Sequence, residues 1–132
     1  VTGLDLFPTL ARLTGATLPG SLELDGADIL DVLAEGAPGP HQEILFFNED
    51  QIAGIRMGKW KLMVRSYYKQ YDVPLADRGY PLLFDLERDP GERYSLAPDY
   101  PQQVAAMLQA IEAARVRLAV PEAPVFAPGG SD

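Results

Sequence analysis

Two short runs joined by one glycine constrain this fold more than any other feature of the sequence. Residues Ile52–Met57 and Lys59–Arg65 flank Gly58, and the second run alternates in character. Successive side chains of a strand point to opposite faces, so this alternation separates two sets of positions. It predicts an antiparallel hairpin with one packed face and one solvated, basic face. The packed positions are Trp60, Leu62 and Val64, and the opposite ones are Lys59, Lys61, Met63 and Arg65.

A long amphipathic helix near the carboxyl end supplies the surface that such a sheet needs. Apolar runs at Glu43–Phe47 and Leu82–Leu86 predict further strands, and Ser66–Tyr80 is predicted to be a tyrosine-rich loop. Asp99 is predicted to cap the helix, which ends before Pro121. We therefore predict an α+β fold in which a small antiparallel sheet of three to four strands packs against a long C-terminal helix. The predicted packing stripe comprises Val104, Met107, Leu108, Ile111, Arg115 and Leu118.

The first forty residues form a separate helical segment in the predicted organisation. A capping box at Thr2–Asp5 precedes a helix that begins near residue 4 or 5 and ends at Gly15. Asp28 is predicted to cap a short helix at Ile29–Ala34, and the run Ala37–Pro40 then breaks the chain. The predicted divisions are two helices and a linker over 1–40, an α+β domain over 41–120 and a flexible tail over 121–132.

Composition and charge exclude several classes of protein. The absence of cysteine excludes a disulfide framework, a thiolate metal site and a cysteine nucleophile within this chain. No apolar run approaches the ~18–20 residues of a membrane span. The net charge of −8 argues against a nucleic-acid binder. Residues 51–71 are the exception, because they hold five basic residues and no acid, and an anionic partner would be sought there.

Catalytic chemistry is sparse in this sequence. His41 is the one histidine, and it lies in a Pro-Gly-Pro-His loop without a nucleophile elbow nearby. The ligand sets of a zinc site, the spacing of an EF-hand and a glycine-rich phosphate loop are all missing. The residues alone therefore predict a binding or scaffolding module with neither catalytic nor metal-ligating residues.

Four segments carry motifs that occur here in a distinctive order. Asp5–Gly15 reads DLFPTLARLTG, and Leu24–Leu30 places Asp-Gly before a short helix. Ile55–Leu62 contains Arg-x-Gly-x-Trp-Lys, and Leu83–Glu92 reads LFDLERDPGE. Together, over residues 1–118, they resemble the C-terminal portion of a sulfatase of the arylsulfatase type, in the alkaline phosphatase superfamily. By this resemblance, the two N-terminal helices are the remnant of a large α/β domain.

The resemblance implies an enzyme that hydrolyses sulfate esters with a formylglycine nucleophile and a calcium ion held by Asp and Asn. The Cys/Ser-x-Pro-x-Arg motif that yields formylglycine is absent here, since no proline has arginine two residues later. We therefore expect no cofactor in this chain, and we expect calcium and formylglycine in a missing N-terminal domain. The sulfate-ester substrate would bind through that domain, and the chain alone is expected to be inactive.

In such enzymes the loops of the small domain can border the active-site cleft. The basic residues of the hairpin, with the one histidine, are therefore our candidate substrate rim, and surface charge without a ligand is the alternative explanation. The candidate rim residues are Arg56, Lys59, Lys61, Arg65 and His41.

Other interpretations stay open at this stage. One is a stand-alone module that binds an anion or a sulfated glycan, and another is the same portion of a related phosphodiesterase or phosphonate hydrolase. An isolated chain would expose Leu4, Phe7 and Leu10, which predicts self-association. Neither a signal nor a transmembrane segment is visible in the sequence. The chain begins at Val1 and enters a helical pattern at once, so it is expected to be a piece of a longer protein. Its compartment is open: cytoplasm or periplasm if bacterial.

Overall fold

A computed structural model describes residues 1–22, 24–68, 71–76 and 79–121 of the chain. These fall into two compact units, Val1–Gln42 and Glu43–Asp132. The predicted flexible tail from residue 122 onward and part of the predicted tyrosine-rich loop lie outside the described residues.

The first unit contains the two predicted helices. A 3-10 turn at Gly3–Asp5 leads into helix α1, Leu6–Thr14, and helix α2 spans Leu30–Glu35. Both helices end at a glycine in the left-handed conformation, Gly15 with φ 72° and Gly36 with φ 70°. Because this conformation strains residues with a Cβ, glycine is the residue that ends each helix at low cost.

Polar contacts hold α2 and the segment before it against α1. Arg12 donates to the carboxylates of Asp28 and Asp31, each at 2.9 Å. The Thr9 hydroxyl accepts a hydrogen bond from the backbone N–H of Ile29 at 3.0 Å. The Ile29 side chain is 1% exposed, so it belongs to the small apolar interior of this unit.

The second unit is built on a four-stranded antiparallel sheet. Its strands are β1 (Glu43–Asn48), β2 (Gln51–Met57), β3 (Trp60–Met63) and β6 (Leu82–Asp85), in the spatial order β1-β2-β3-β6. The pairing aligns Leu45, Ile55, Leu62 and Leu83 in one row across all four strands.

Helix α3, Pro101–Arg117, contributes the other half of the core. Its buried side chains are Met107, Ile111 and Ala114, and they pack with Ile55, Leu62 and Leu83. Burying an aliphatic side chain is worth roughly 1.5–3 kcal/mol. The predicted α+β fold, a small antiparallel sheet with a C-terminal helix, is therefore confirmed.

A second, two-stranded sheet lies where the sequence predicts a loop. Strands β4 (Arg65–Tyr68) and β5 (Tyr71–Pro74) pair antiparallel. Arg65 therefore opens β4 instead of ending β3. The run of tyrosines explains the difference, because aromatic residues are enriched in strands and the predicted loop did not take this preference into account.

Two details of α3 were predicted wrongly. Tyr100, not Asp99, occupies the N-cap position, and it makes no side-chain capping bond. The backbone N–H of Asp99 belongs to a preceding turn, where it donates to Leu96 O at 3.0 Å. Leu118 lies beyond the helix and is 46% exposed, whereas Ala114 takes the buried position. Within the described residues, no helix is both long and apolar enough to span a bilayer.

Candidate functional site

Arg56 and Lys61 lie side by side on one face of the sheet, because they are register partners in β2 and β3. Arg56 is exposed, and its Nε donates to Gly58 O at 2.9 Å. Lys61 donates to both carboxylate oxygens of Glu92, at 2.6 and 2.7 Å. Its ammonium also lies 4.9 Å from the centre of the Phe46 ring, a cation–π contact.

This face of the sheet is less open to water than the alternating pattern predicts. The Lys61 side chain is 16% exposed, and its register partner on β6, Phe84, is 5% exposed. The loop after β6 brings Glu92 onto Lys61, which neutralises the ammonium locally. The expectation of a fully solvated basic face is therefore wrong at Lys61, whereas its place in a substrate rim stays a prediction.

Lys59 lies in the turn before β3, where strand alternation no longer decides its direction. Its Nζ donates to Asp85 Oδ2 at 2.8 Å, and it also lies 4.9 Å from the centre of the Trp60 ring. The hydrogen bond from Lys59 holds the pKa of Asp85 below its ordinary value, against the opposing effect of burial, and the Glu87 amide adds to the lowering.

Trp60 itself packs against the core, as predicted. It is partly buried beside the hydrophobic cluster, and its ring centre lies 5.0 Å from that of Tyr100.

Arg65 lines a cavity of about 410 Å³ on the second unit. The cavity has an apolar floor that includes Met63 and Phe84, and Asn48 and Ser66 contribute polar groups to it. Such a mixture of apolar floor and few polar groups is typical of small-molecule sites.

His41 belongs to the first unit, where it contacts the buried carboxylate of Asp5. His41 Nε2 lies 2.6 Å from Asp5 Oδ1, which also accepts the backbone N–H of Ala27 at 2.9 Å. The other oxygen, Oδ2, accepts a hydrogen bond from the backbone N–H of Thr2. This is the hydrogen bond that the Asp5 carboxylate contributes to the predicted capping box. Asp5 is 0% exposed and joins three separate stretches of chain.

The electrostatics of Asp5 follow from these contacts. Burial alone would raise the pKa of Asp5, but hydrogen bonds from the Ala27 and Thr2 amides and from His41 outweigh it and hold the pKa well below its ordinary value. Gly26 completes the arrangement, because a Cβ there would overlap the Leu4 carbonyl group. The Asp-Gly pair of the sequence motif is thus explained by a close approach of two backbones.

The described residues do not fit a catalytic metal. In the part of the chain that the structure covers, no three His, Asp or Glu side chains come together as a metal site would require. Sequence reasoning identified Asp5 only as a capping residue, and it missed Asp85 and Glu92 as partners of the two lysines.

Comparison with known proteins decides the family. The model of the C-terminal region of aryl-sulfatase matches residues 39–125. The chain belongs to the sulfatase family. An arylsulfatase of Hemicentrotus pulcherrimus is 36% identical over 120 residues, covering 73% of this chain and 22% of that protein. Arylsulfatase A of Homo sapiens is 33% identical over 127 residues, covering 84% of this chain and 25% of that protein.

Solved structures, a sulfatase among them, share the fold. The PsFucS1 sulfatase from Pseudoalteromonas sp. superposes with a TM-score of 0.62 at 21% identity, covering 88% of this chain and 25% of that one. Ps i-CgsB, solved in complex with k-i-k-neocarrahexaose, gives a TM-score of 0.60 at 25% identity, covering 86% of this chain and 24% of that one. This sulfatase chain therefore spans about a quarter of the length of the relatives it matches, and it corresponds to their C-terminal portion.

Proposed function

We propose that this chain is the non-catalytic C-terminal part of a sulfuric ester hydrolase, in which it stabilises the enzyme and contributes to the substrate rim. The match of residues 39–125 to the C-terminal region of aryl-sulfatase carries the proposal. The lack of a Cys/Ser-x-Pro-x-Arg motif and of an Asp-Asn pair agrees with it, because the nucleophile and the calcium ligands would then come from another region.

The activity of the purified chain tests whether the catalytic residues lie in another region of the enzyme. We expect no release of inorganic sulfate from p-nitrophenyl sulfate, because neither a formylglycine precursor nor a described metal site is present. The longer polypeptide that contains this chain is expected to carry the Cys/Ser-x-Pro-x-Arg motif and to hydrolyse the same ester. Sulfate release by the chain alone would overturn the proposal.

In the proposed rim, Arg56 is the residue best placed to meet an anion. It is exposed, and Lys61 lies beside it in the neighbouring strand. A guanidinium pairs with a sulfate group through two parallel N–H donors, which a lysine cannot imitate. Lys59, Arg65 and His41 complete the proposed set.

Kinetics of the longer enzyme separate a substrate rim from ordinary surface charge. We expect Arg56→Gln to raise KM for a sulfated oligosaccharide by at least about fivefold with little change in kcat, because one charge-assisted contact is lost. The control is Arg93→Gln, a change at another exposed arginine, which should alter neither constant. An unchanged KM in the Arg56 variant would remove Arg56 from the rim and leave the family assignment intact.

Self-association of the chain is a further part of the proposal. Leu4, Phe7 and Leu10 are 61%, 55% and 55% exposed, so an apolar stripe of the first unit faces solvent. We expect light scattering to show a mass that rises with concentration, and Phe7→Glu with Leu10→Glu to abolish the rise. A constant monomer mass would contradict this part.

A further inference from the structure

The loop between β6 and α3, residues 86–100, is held in place by its own hydrogen bonds. The backbone N–H of Asp89 donates to Asp85 O at 2.8 Å. The Asp89 carboxylate then accepts the backbone N–H groups of Arg93 at 2.7 Å and Tyr94 at 3.0 Å. The backbone at Tyr94 is therefore fixed at the surface.

Two tyrosine rings on this ordered loop remain accessible to solvent. Tyr94 is 75% exposed. Tyr100 is 41% exposed, although it also packs on Trp60 with ring centres 5.0 Å apart. Both line one open cavity of about 580 Å³, with Leu96 between them in sequence. This volume lies within the roughly 300–1,000 Å³ of small-molecule sites.

The polar groups around the cavity define the chemistry of its ligand. The Asp85 carboxylate is occupied by Lys59 and lies 4.0 Å from Nε of the exposed Arg88, and the Asp89 carboxylate is occupied by two backbone amides. Arg88 and Asp99 also line the cavity, the first as a donor and the second as an acceptor. Neighbouring sugar hydroxyls both donate and accept, so one such pair can satisfy both side chains.

Charge at the cavity argues against a sulfated ligand. Three carboxylates and one guanidinium line it, which gives the site a negative potential even with Lys59 bound to Asp85. A neutral sugar ring avoids this repulsion, and its C–H face packs favourably on an exposed tyrosine.

We propose that this cavity binds a neutral sugar ring, stacked on Tyr94 and Tyr100 and hydrogen-bonded to Arg88 and Asp99. The inference rests on the loop and its cavity alone and does not depend on the proposed sulfatase role. It makes the second unit a binding site for an unsulfated sugar of a glycan, next to Lys59 of the basic rim.

Titration of the chain with two hexasaccharides tests the proposal. Amide NMR signals are followed during addition of neutral neoagarohexaose and, separately, of sulfated neocarrahexaose. We expect the neutral sugar to shift the signals of Tyr94, Asp99 and Tyr100, and the sulfated sugar to bind there at least about fivefold more weakly because of repulsion. No shift with the neutral sugar, or equal binding of the sulfated one at these residues, would overturn the proposal.

Matched tyrosine variants identify the stacking surface. Tyr94→Ala should weaken binding of the neutral sugar by at least about fivefold, the scale of one aromatic contact. Tyr94→Phe should retain binding, since stacking uses the ring and not the hydroxyl. Tyr80→Ala is the control, because Tyr80 is also exposed, at 51%, but lines a different cavity. Equal affinity in wild type and Tyr94→Ala would refute the assignment.

Discussion

Replacing Asp5 with asparagine isolates the role of one buried carboxylate. Asp5 accepts from Ala27 and His41 on one oxygen and from Thr2 on the other. An asparagine side chain has the same shape but offers a single acceptor oxygen, and its amide nitrogen donates. Whichever way it turns, its NH2 group faces at least one backbone N–H that has lost its acceptor.

The size of the effect follows from this count. An orphaned buried donor costs about 1–3 kcal/mol, and the lost bonds to a charged acceptor lie at the upper end of that range. By the usual conversion, this corresponds to roughly 5- to 150-fold more frequent opening of the first unit. Asp25→Asn makes the same chemical change at an exposed carboxylate and should cost less than about 0.5 kcal/mol.

The effect of Asp5 depends on pH in a defined direction. Its pKa in the folded chain lies below the ordinary value of 3.8, so the unfolded chain binds more protons in this range. The stabilisation is complete above about pH 5, and it is lost as pH falls towards the folded pKa. The asparagine variant lacks this titration. The difference in stability between the variant and wild type should therefore be constant near neutrality and become smaller in acid.

Amide hydrogen exchange measures both effects in the first unit. The Ile29 N–H is a suitable probe, because it donates to Thr9 Oγ1 at 3.0 Å and not to Asp5 itself. We expect its protection factor to fall in the Asp5→Asn variant, and to fall less at about pH 3 than at about pH 6. Equal protection in the two proteins, or a difference independent of pH, would refute the reasoning.

Three further changes test packing and charge elsewhere. Gly26→Ala should cost about 1–3 kcal/mol or more by overpacking against the neighbouring backbone. Gly39→Ala, whose Cβ would meet no atom within 4 Å, should be nearly neutral, and amide exchange of the first unit distinguishes the two variants. Leu62→Ala should cost about 2–5 kcal/mol in urea unfolding, because the side chain is 0% exposed in the sheet core. A double-mutant cycle on Lys61→Met and Glu92→Gln should give a coupling of about 1 kcal/mol, and a coupling near zero would contradict the observed pair.

The sequence was sufficient to predict the structure where a local pattern decides it. The alternation around Trp60 and Leu62 predicted the hairpin, and Gly15 marked the end of α1, because side-chain direction and backbone conformation are both local properties. The tyrosines of Ser66–Tyr80 favour a strand, but this preference depends on context and did not by itself exclude the predicted loop. Pairing with a neighbouring strand decided between the two, and a single sequence does not contain that information.

The candidate site was predicted less completely, because its lysines are neutralised by carboxylates that are distant in the sequence. Lys61 lies within a stretch that holds no acid, yet Glu92 reaches it from 31 positions away. Asp85 meets Lys59 in the same way across 26 positions. A count of charges along the chain therefore overestimates the positive surface that an anion would encounter.

This neutralisation changes the expected order of importance within the rim. A lysine that already holds a carboxylate has its charge locally neutralised and has fewer free donors, so it gains less from a new contact with a sulfate. Arg56 donates its Nε to the carbonyl of Gly58, an uncharged acceptor, so this contact does not neutralise its charge. Arg56 is therefore expected to have a larger effect on sulfate binding than Lys59 or Lys61, although all three are close in sequence and carry the same charge.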